Sequence, residues 1–212
     1  MRDLARPVAA GVAAALVPPR CAGCDAPGAW LCLECRAALE PADVPLAGLP
    51  VRVAGLYEGP LRAAIHRYKY RAEPGLAAEL GDLVADLLAR DLARGSRVDV
   101  VVPVPLHPRR VRERGYDQTA LLAERIALRT GMPLRRALRR VRHVRPQVEL
   151  DRSERLRNVA GAFAGAVGSL RGARVALVDD VVTTGATLRE AARAAHGCGA
   201  RRVRAYAVAH DE

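Results

Sequence analysis

From residue 51 onward the chain alternates short apolar runs with longer stretches whose apolar residues recur every three or four positions. Val51 to Tyr57, Val98 to Val104, Val175 to Val178 and Val203 to Ala209 read as strands. Pro60 to about Tyr70, Leu76 to about Leu92, Gln118 to Thr130 and Ala186 to Ala195 read as helices; Pro60 opens the first and Gly131 stops the third. Leu134 to Val141 is a further strand candidate. A strand followed by a helix can return beside its predecessor only through a crossover, so the order implies an α/β fold: a mostly parallel sheet flanked by helices on both faces. Ligands of such sheets sit at the carboxyl ends of the strands. At 212 residues there is room for one such domain and a small appendage, but not for two full enzyme domains.

The appendage is marked by cysteine. Cys21-Ala-Gly-Cys24 and Cys32-Leu-Glu-Cys35 are two CxxC pairs seven residues apart. Each pair can grip a metal in a tight knuckle, and four thiolates complete the tetrahedral shell of a structural Zn²⁺, leaving no position open for catalysis. The alternative, two disulfides, requires an oxidising compartment. Cys198, in an Ala-rich helix, reads as a small buried residue. Pro41, Pro45 and Pro50 place a boundary near residue 46, dividing an N-terminal helix and zinc-ribbon-like cysteine module (residues 1–45) from the α/β domain (residues 46–212). Val8 to Val17 superficially resembles a secretion signal. Cleavage there would leave a zinc knuckle in an oxidising compartment, so a short packed helix and a cytoplasmic protein are expected.

The net charge is +11. Between Leu106 and Asn158 fifteen arginines face six acids, an excess of nine, which leaves two for the rest of the chain. An anionic partner is expected, and with aromatics at only 3% it is one read through its phosphates rather than by stacking on bases. No uncharged apolar run approaches the ~18 residues of a membrane span.

One stretch carries chemistry. Val175-Ala-Leu-Val runs into Asp179-Asp180-Val-Val-Thr183-Thr184-Gly185-Ala186-Thr187 and then a helix. Backbone N–H groups and hydroxyls at this turn converge on the positive end of the helix, where a phosphate monoester sits well. The two carboxylates, expected at the strand tip, suit vicinal hydroxyls of a sugar. Lys69, in an Arg-Tyr-Lys-Tyr run, reads equally as a solvated cation between packed tyrosines or as a phosphate contact, and His66 reads as a helix-surface residue.

This turn resembles the phosphoribosyl pyrophosphate (PRPP) motif of type I phosphoribosyltransferases. Together with the four cysteines, Val102-Pro-Val-Pro-Leu-His107, Arg114-Gly-Tyr-Asp-Gln118, Arg145-Pro-Gln147 and Arg157-Asn158, in this order, it resembles the ComF family over essentially the whole chain. Asp117 stands where that family usually has Asn. The resemblance implies a type I phosphoribosyltransferase-like fold with PRPP held by Asp179, Asp180, Thr183, Thr184, Gly185, Ala186 and Thr187. It assigns catalytic roles to Asp179, Asp180 and Arg145. Pyrophosphate would be met by a loop and lid comprising Pro105, His107, Arg109, Arg114, Gln147, Arg157 and Lys69, with Mg²⁺ accompanying PRPP. Residues 142 to 158, rich in arginine and poor in apolar anchors, would form the lid. The implied reaction is displacement at the anomeric carbon with release of pyrophosphate, a pentosyl transfer whose acceptor the residues leave unidentified. Thr183 stands where 6-oxopurine salvage enzymes carry an acid, which disfavours that subclass. The alternative is a non-catalytic, PRPP-responsive protein that binds single-stranded DNA during DNA uptake and natural transformation. A homo-oligomer stays open.

Overall fold

The computed structural model describes residues 18–141 and 160–212. In chain order the elements are α1 (Leu33–Ala37), β1 (Ala42–Leu46), β2 (Leu49–Leu56), α2 (Gly59–Tyr70), α3 (Leu76–Ala93), β3 (Val100–Pro103), α4 (Pro108–Arg114), α5 (Gln118–Thr130), β4 (Leu138–Arg140), β5 (Phe163–Gly165), β6 (Arg174–Val182), α6 (Ala186–Gly197) and β7 (Arg202–His210). Five strands form one sheet in the order β1-β2-β7-β6-β3, in which β1 is antiparallel to β2 and every other pairing is parallel. This is the mostly parallel, helix-flanked sheet that the order of elements implies.

Successive side chains of a strand point to opposite faces, and β6 shows the consequence. Val175 and Leu177 join a core with Val51, Val53, Val100, Val102, Ala205 and Ala207 under α6 and the small β4–β5 hairpin sheet. Ala176 and Val178 join the opposite core with Val101, Tyr206 and Val208 under α2, α3 and α5. A strand covered on both faces must be apolar throughout, which is why these runs do not alternate.

The cysteine module rests on that second core. Cys21, Leu31 and Cys35 are buried with Leu61, Ile65 and Tyr68. The Trp30 amide donates to Glu79 Oε1 at 3.0 Å, and Arg67 lies over the Trp30 ring at 5.6 Å.

Four expectations change. The strand expected at Val175 to Val178 continues to Val182, pairing Asp179 with Ala207, Val181 with Ala209 and Val182 with His210. The aspartates therefore lie within β6, one step beyond the last β3 partner, Pro103 opposite Val178. The proline-rich stretch about residue 46 contains β1, which pairs with β2 at the sheet edge, where proline is tolerated. Of Leu134 to Val141, only Leu138–Arg140 forms a strand, paired with β5 outside the main sheet; Leu134 makes an isolated bridge to Val101. Helix α4 was not expected. The helix expected at Val8 to Val17 lies outside the described residues. Among the described residues no helix is long and apolar enough to cross a membrane.

Candidate functional site

At the carboxyl edge of the sheet a cavity of about 490 Å³ opens between the ends of β3 and β6 and the start of α6. One wall is the turn after β6: Thr183, Gly185, Ala186 and Thr187 line it. Gly185 is the N-cap of α6 with φ +70°, a left-handed conformation that favours glycine. A Cβ there would also run into the side chain of Leu46 on β1. Gly185 brings no side chain to the cap and the Ala186 amide makes only a long hydrogen bond to Thr184 Oγ1 at 3.4 Å, so the amides that follow in the first turn are open to an external acceptor, the geometry of a helix-terminus anion site. Thr184 does not line the cavity; its Oγ1 is engaged by the Ala186 amide and its carbonyl accepts from Arg189 at 3.0 Å.

Opposite the turn lie charges of both signs. Asp179, Asp180 and Asp211 supply carboxylates; Lys69, Arg110, Arg114 and Arg140 supply cations. Asp179 is buried and accepts the Asp180 amide at 2.8 Å. Burial and the neighbouring Asp180 charge push its carboxyl up to about 7, against the opposing pull of that amide, Lys69 and Arg140. Lys69 Nζ pairs with Asp180 Oδ1 at 2.9 Å, so Lys69 is a packed, paired cation and not a solvated one. Arg140 is held below the usual arginine value by burial. Its guanidinium lies 5.4 Å over the Phe163 ring, and its Nε has no acceptor among the described residues.

The structure gathers most of the expected residues. Asp179, Asp180, Thr183, Gly185, Ala186, Thr187, Pro105, His107, Arg114 and Lys69 line the cavity. Arg109 does not. Its side chain is 64% exposed and turned along α4 to Glu113 at 2.7 Å, because His107 caps α4 and sends Arg110 inward instead. Arg145, Gln147 and Arg157 lie outside the described residues. In the Arg114-Gly-Tyr-Asp-Gln118 motif only Arg114 reaches the cavity, where it stacks over Tyr70 at 5.3 Å. The rest is scaffold: Gly115 ends α4, Tyr116 packs on Tyr68, and Asp117 caps α5 by accepting from the Ala120 amide at 3.1 Å. Arg140, Tyr57 and Asp211 were missed. The signal for Arg140 was parity: it lies two positions from buried Leu138 in a strand and so shares its inward face.

The four N-terminal sulfurs lie within 4.8 Å of one another, with Cys24 Sγ and Cys32 Sγ 3.6 Å apart. Tetrahedral Zn–S bonds of about 2.3 Å place sulfurs about 3.8 Å apart, so the set fits a metal of that kind. Backbone amides turn onto the sulfurs, Cys32 N–H to Cys21 Sγ at 3.3 Å and Cys35 N–H to Cys32 Sγ at 3.5 Å. Gly23 is required by proximity: a Cβ there would stand 2.8 Å from Cys35 Sγ.

The profile of the phosphoribosyl transferase domain matches residues 146–212. The chain is similar to competence protein F of Haemophilus influenzae, with 32% identity over 163 residues covering 74% of this chain and 71% of that protein. It is similar to DNA utilization protein YhgH of Salmonella typhimurium, with 32% identity over 191 residues covering 89% and 82%. Among solved structures, an adenine phosphoribosyltransferase aligns with 20% identity and a TM-score of 0.44 over 84% of this chain and 88% of its own.

Proposed function

The chain belongs to the competence protein F (ComF) family, and from that premise we propose that it binds PRPP at the carboxyl edge of its sheet and transfers the phosphoribosyl group with release of pyrophosphate. The observation that carries this reading is the start of α6 behind left-handed Gly185, whose cap position has no side chain, sharing one cavity with Asp179 and Asp180. The α6 amides and the Thr183 to Thr187 turn receive the 5-phosphate. Asp179 and Asp180 orient the ribose hydroxyls. Lys69, Arg110, Arg114 and Arg140 of the cavity lining would meet the departing pyrophosphate, joined, on the family resemblance, by Arg145, Gln147 and Arg157, which lie outside the described residues. In the reaction the bond from the anomeric carbon to pyrophosphate breaks, its electron pair leaving with pyrophosphate. A lone pair on the acceptor forms the new bond. Positive charge builds on the sugar ring between these events, and nearby carboxylates stabilise it.

Mg²⁺, held mainly by the ligand's own oxygens with Asp180 or Asp211 within the same cavity, would neutralise pyrophosphate charge. The four thiolates of Cys21, Cys24, Cys32 and Cys35 would hold a structural Zn²⁺, and their closed set would leave no position for substrate. Calorimetric titration with PRPP tests the site. Gly185→Val, which obstructs the turn, and Asp180→Ala, which removes an acceptor, should each weaken binding by roughly 1.5–3 kcal/mol. Unchanged affinity in both variants overturns the assignment. Pyrophosphate release across nucleobases, amines and DNA ends tests transfer itself. A second reading, a PRPP-responsive protein that binds single-stranded DNA without catalysis, is compatible with the name of the YhgH relative, a DNA utilization protein. PRPP-dependent DNA binding with no pyrophosphate released in that screen would select it.

A further inference from the structure

At the other end of the sheet, six arginines line a second cavity of about 680 Å³: Arg94, Arg97, Arg174, Arg201, Arg202 and Arg204. They come from the end of α3 and the amino-terminal ends of β6 and β7. Because β3, β6 and β7 are parallel, this cavity and the one bearing Asp179 lie at opposite ends of the same strands. Ala176, Leu177 and Val178 of β6 lie between the two linings, which puts Val175 of one about 13 Å from Asp179 of the other at ~3.3 Å per residue.

The cavity has a fixed floor and an unmatched rim. Arg174 Nε donates to Asp99 Oδ2 at 2.8 Å, and its second nitrogen donates to Oδ1. Arg204 donates to Asp91 Oδ2 at 2.8 Å and to Ser96 Oγ at 3.2 Å. Asp91 is anchored in turn by the Tyr206 hydroxyl at 2.8 Å and by Arg52. Two guanidinium groups are thus held in place with their charge already balanced. Arg94, Arg97, Arg201 and Arg202 are exposed and have no carboxylate partner among the described residues. Elsewhere on the surface arginines such as Arg109, Arg136 and Arg193 are matched to Glu113, Glu124 and Glu190. Four unmatched guanidiniums around one concavity repel one another until an anion enters.

We propose that this cavity is a second anion site, remote from the PRPP cavity, that takes a ligand carrying two or more phosphate groups. Guanidinium groups grip phosphate oxygens in pairs, so the rim recognises phosphates. No aromatic side chain lines the cavity, so nothing there stacks a base, and recognition is of the phosphates alone. The volume lies within the range of sites that enclose small ligands. The phosphates come from a free oligophosphate or from the backbone of a nucleic-acid strand.

Inorganic tripolyphosphate is the probe, titrated calorimetrically into the full chain at low salt and followed by hydrogen exchange. Binding should protect residues 94–98 and 201–204. The double variant Arg201→Glu, Arg202→Glu should weaken this binding at least tenfold and leave PRPP affinity unchanged, and Arg97→Glu should act in the same direction. All three positions are exposed, and unaltered melting confirms intact variants. Arg140→Gln, which disables the other cavity, should leave the protection of 94–98 and 201–204 in place. Equal tripolyphosphate binding by wild type and both rim variants overturns the proposal, as does protection confined to the PRPP cavity. A deoxythymidylate twelve-mer that competes with tripolyphosphate assigns the phosphates to a strand; one that fails to compete assigns them to a free oligophosphate.

Discussion

Asp179 and Arg140 face the same cavity, Asp179 buried and Arg140 half-buried, and the surroundings of each disfavour its charged form. For Asp179 this links stability to pH. Its carboxyl is raised to about 7 in the fold, chiefly by burial and by Asp180, against an ordinary value of about 3.9 in the unfolded chain. The folded state therefore binds the extra proton. Its stability is fully present below about pH 4 and is lost as pH rises towards 7. Asp179→Asn keeps an oxygen for the Asp180 amide and removes the titration. Its stability relative to wild type should rise by about 2–3 kcal/mol between pH 5 and pH 8. Denaturant melts at the two pH values check this, and a pH-independent difference would show that Asp179 ionises normally. The identity of the two acids was legible from the turn that follows them, but their burial was not. Burial comes from β7 pairing alongside Asp179 and from Arg140 and Lys69 reaching in from elements far away in sequence.

Elements whose signals are local were read correctly, and α5 shows why. Its cap Asp117, its apolar spacing and its stop at Gly131 lie within fifteen residues, and the helix spans the expected Gln118–Thr130. Asp117 accepts from the Ala120 amide and from Thr119 Oγ1 at 2.9 Å. Asp117→Ala should therefore cost about 1 kcal/mol, while Asp117→Asn, the residue more usual in the family, should be nearly neutral because both cap well. Urea unfolding of the two variants distinguishes them, and equal losses would place the role of Asp117 outside the cap. Elements without local signals were missed. Helix α4 buries none of its residues, so it has no apolar period to detect. β1 carries Pro45 and exposed Asp43, which read as linker and are compatible with a strand only because it lies at an edge. The end of β6 was misread because two carboxylates look like a strand terminus unless the partner strand is known.

For the molecule as a whole, the charge count by segment concealed a surface. Residues 94–97, 174 and 201–204 are far apart in sequence, and each contributes little to a running sum, yet the parallel sheet brings their arginines to one end. The cysteine module, similarly, was legible as a cluster able to hold a metal but not as part of the main core. Because Cys21 and Cys35 are buried beside Leu61, Ile65 and Tyr68, loss of metal should weaken more than the N-terminal residues. Cys35→Ser should lose zinc and lower the melting temperature of the whole chain, as measured by elemental analysis and calorimetry. Less than about half an equivalent of zinc in wild-type protein purified without chelator counts against a structural zinc. The sheet order also bears on biogenesis. β7 is the latest strand in sequence and yet lies at the centre, between β2 and β6. While the polypeptide emerges from the ribosome, these two strands each keep an open hydrogen-bonding edge until residues 202–210 are released, and such edges are where an incomplete chain can pair with its neighbours.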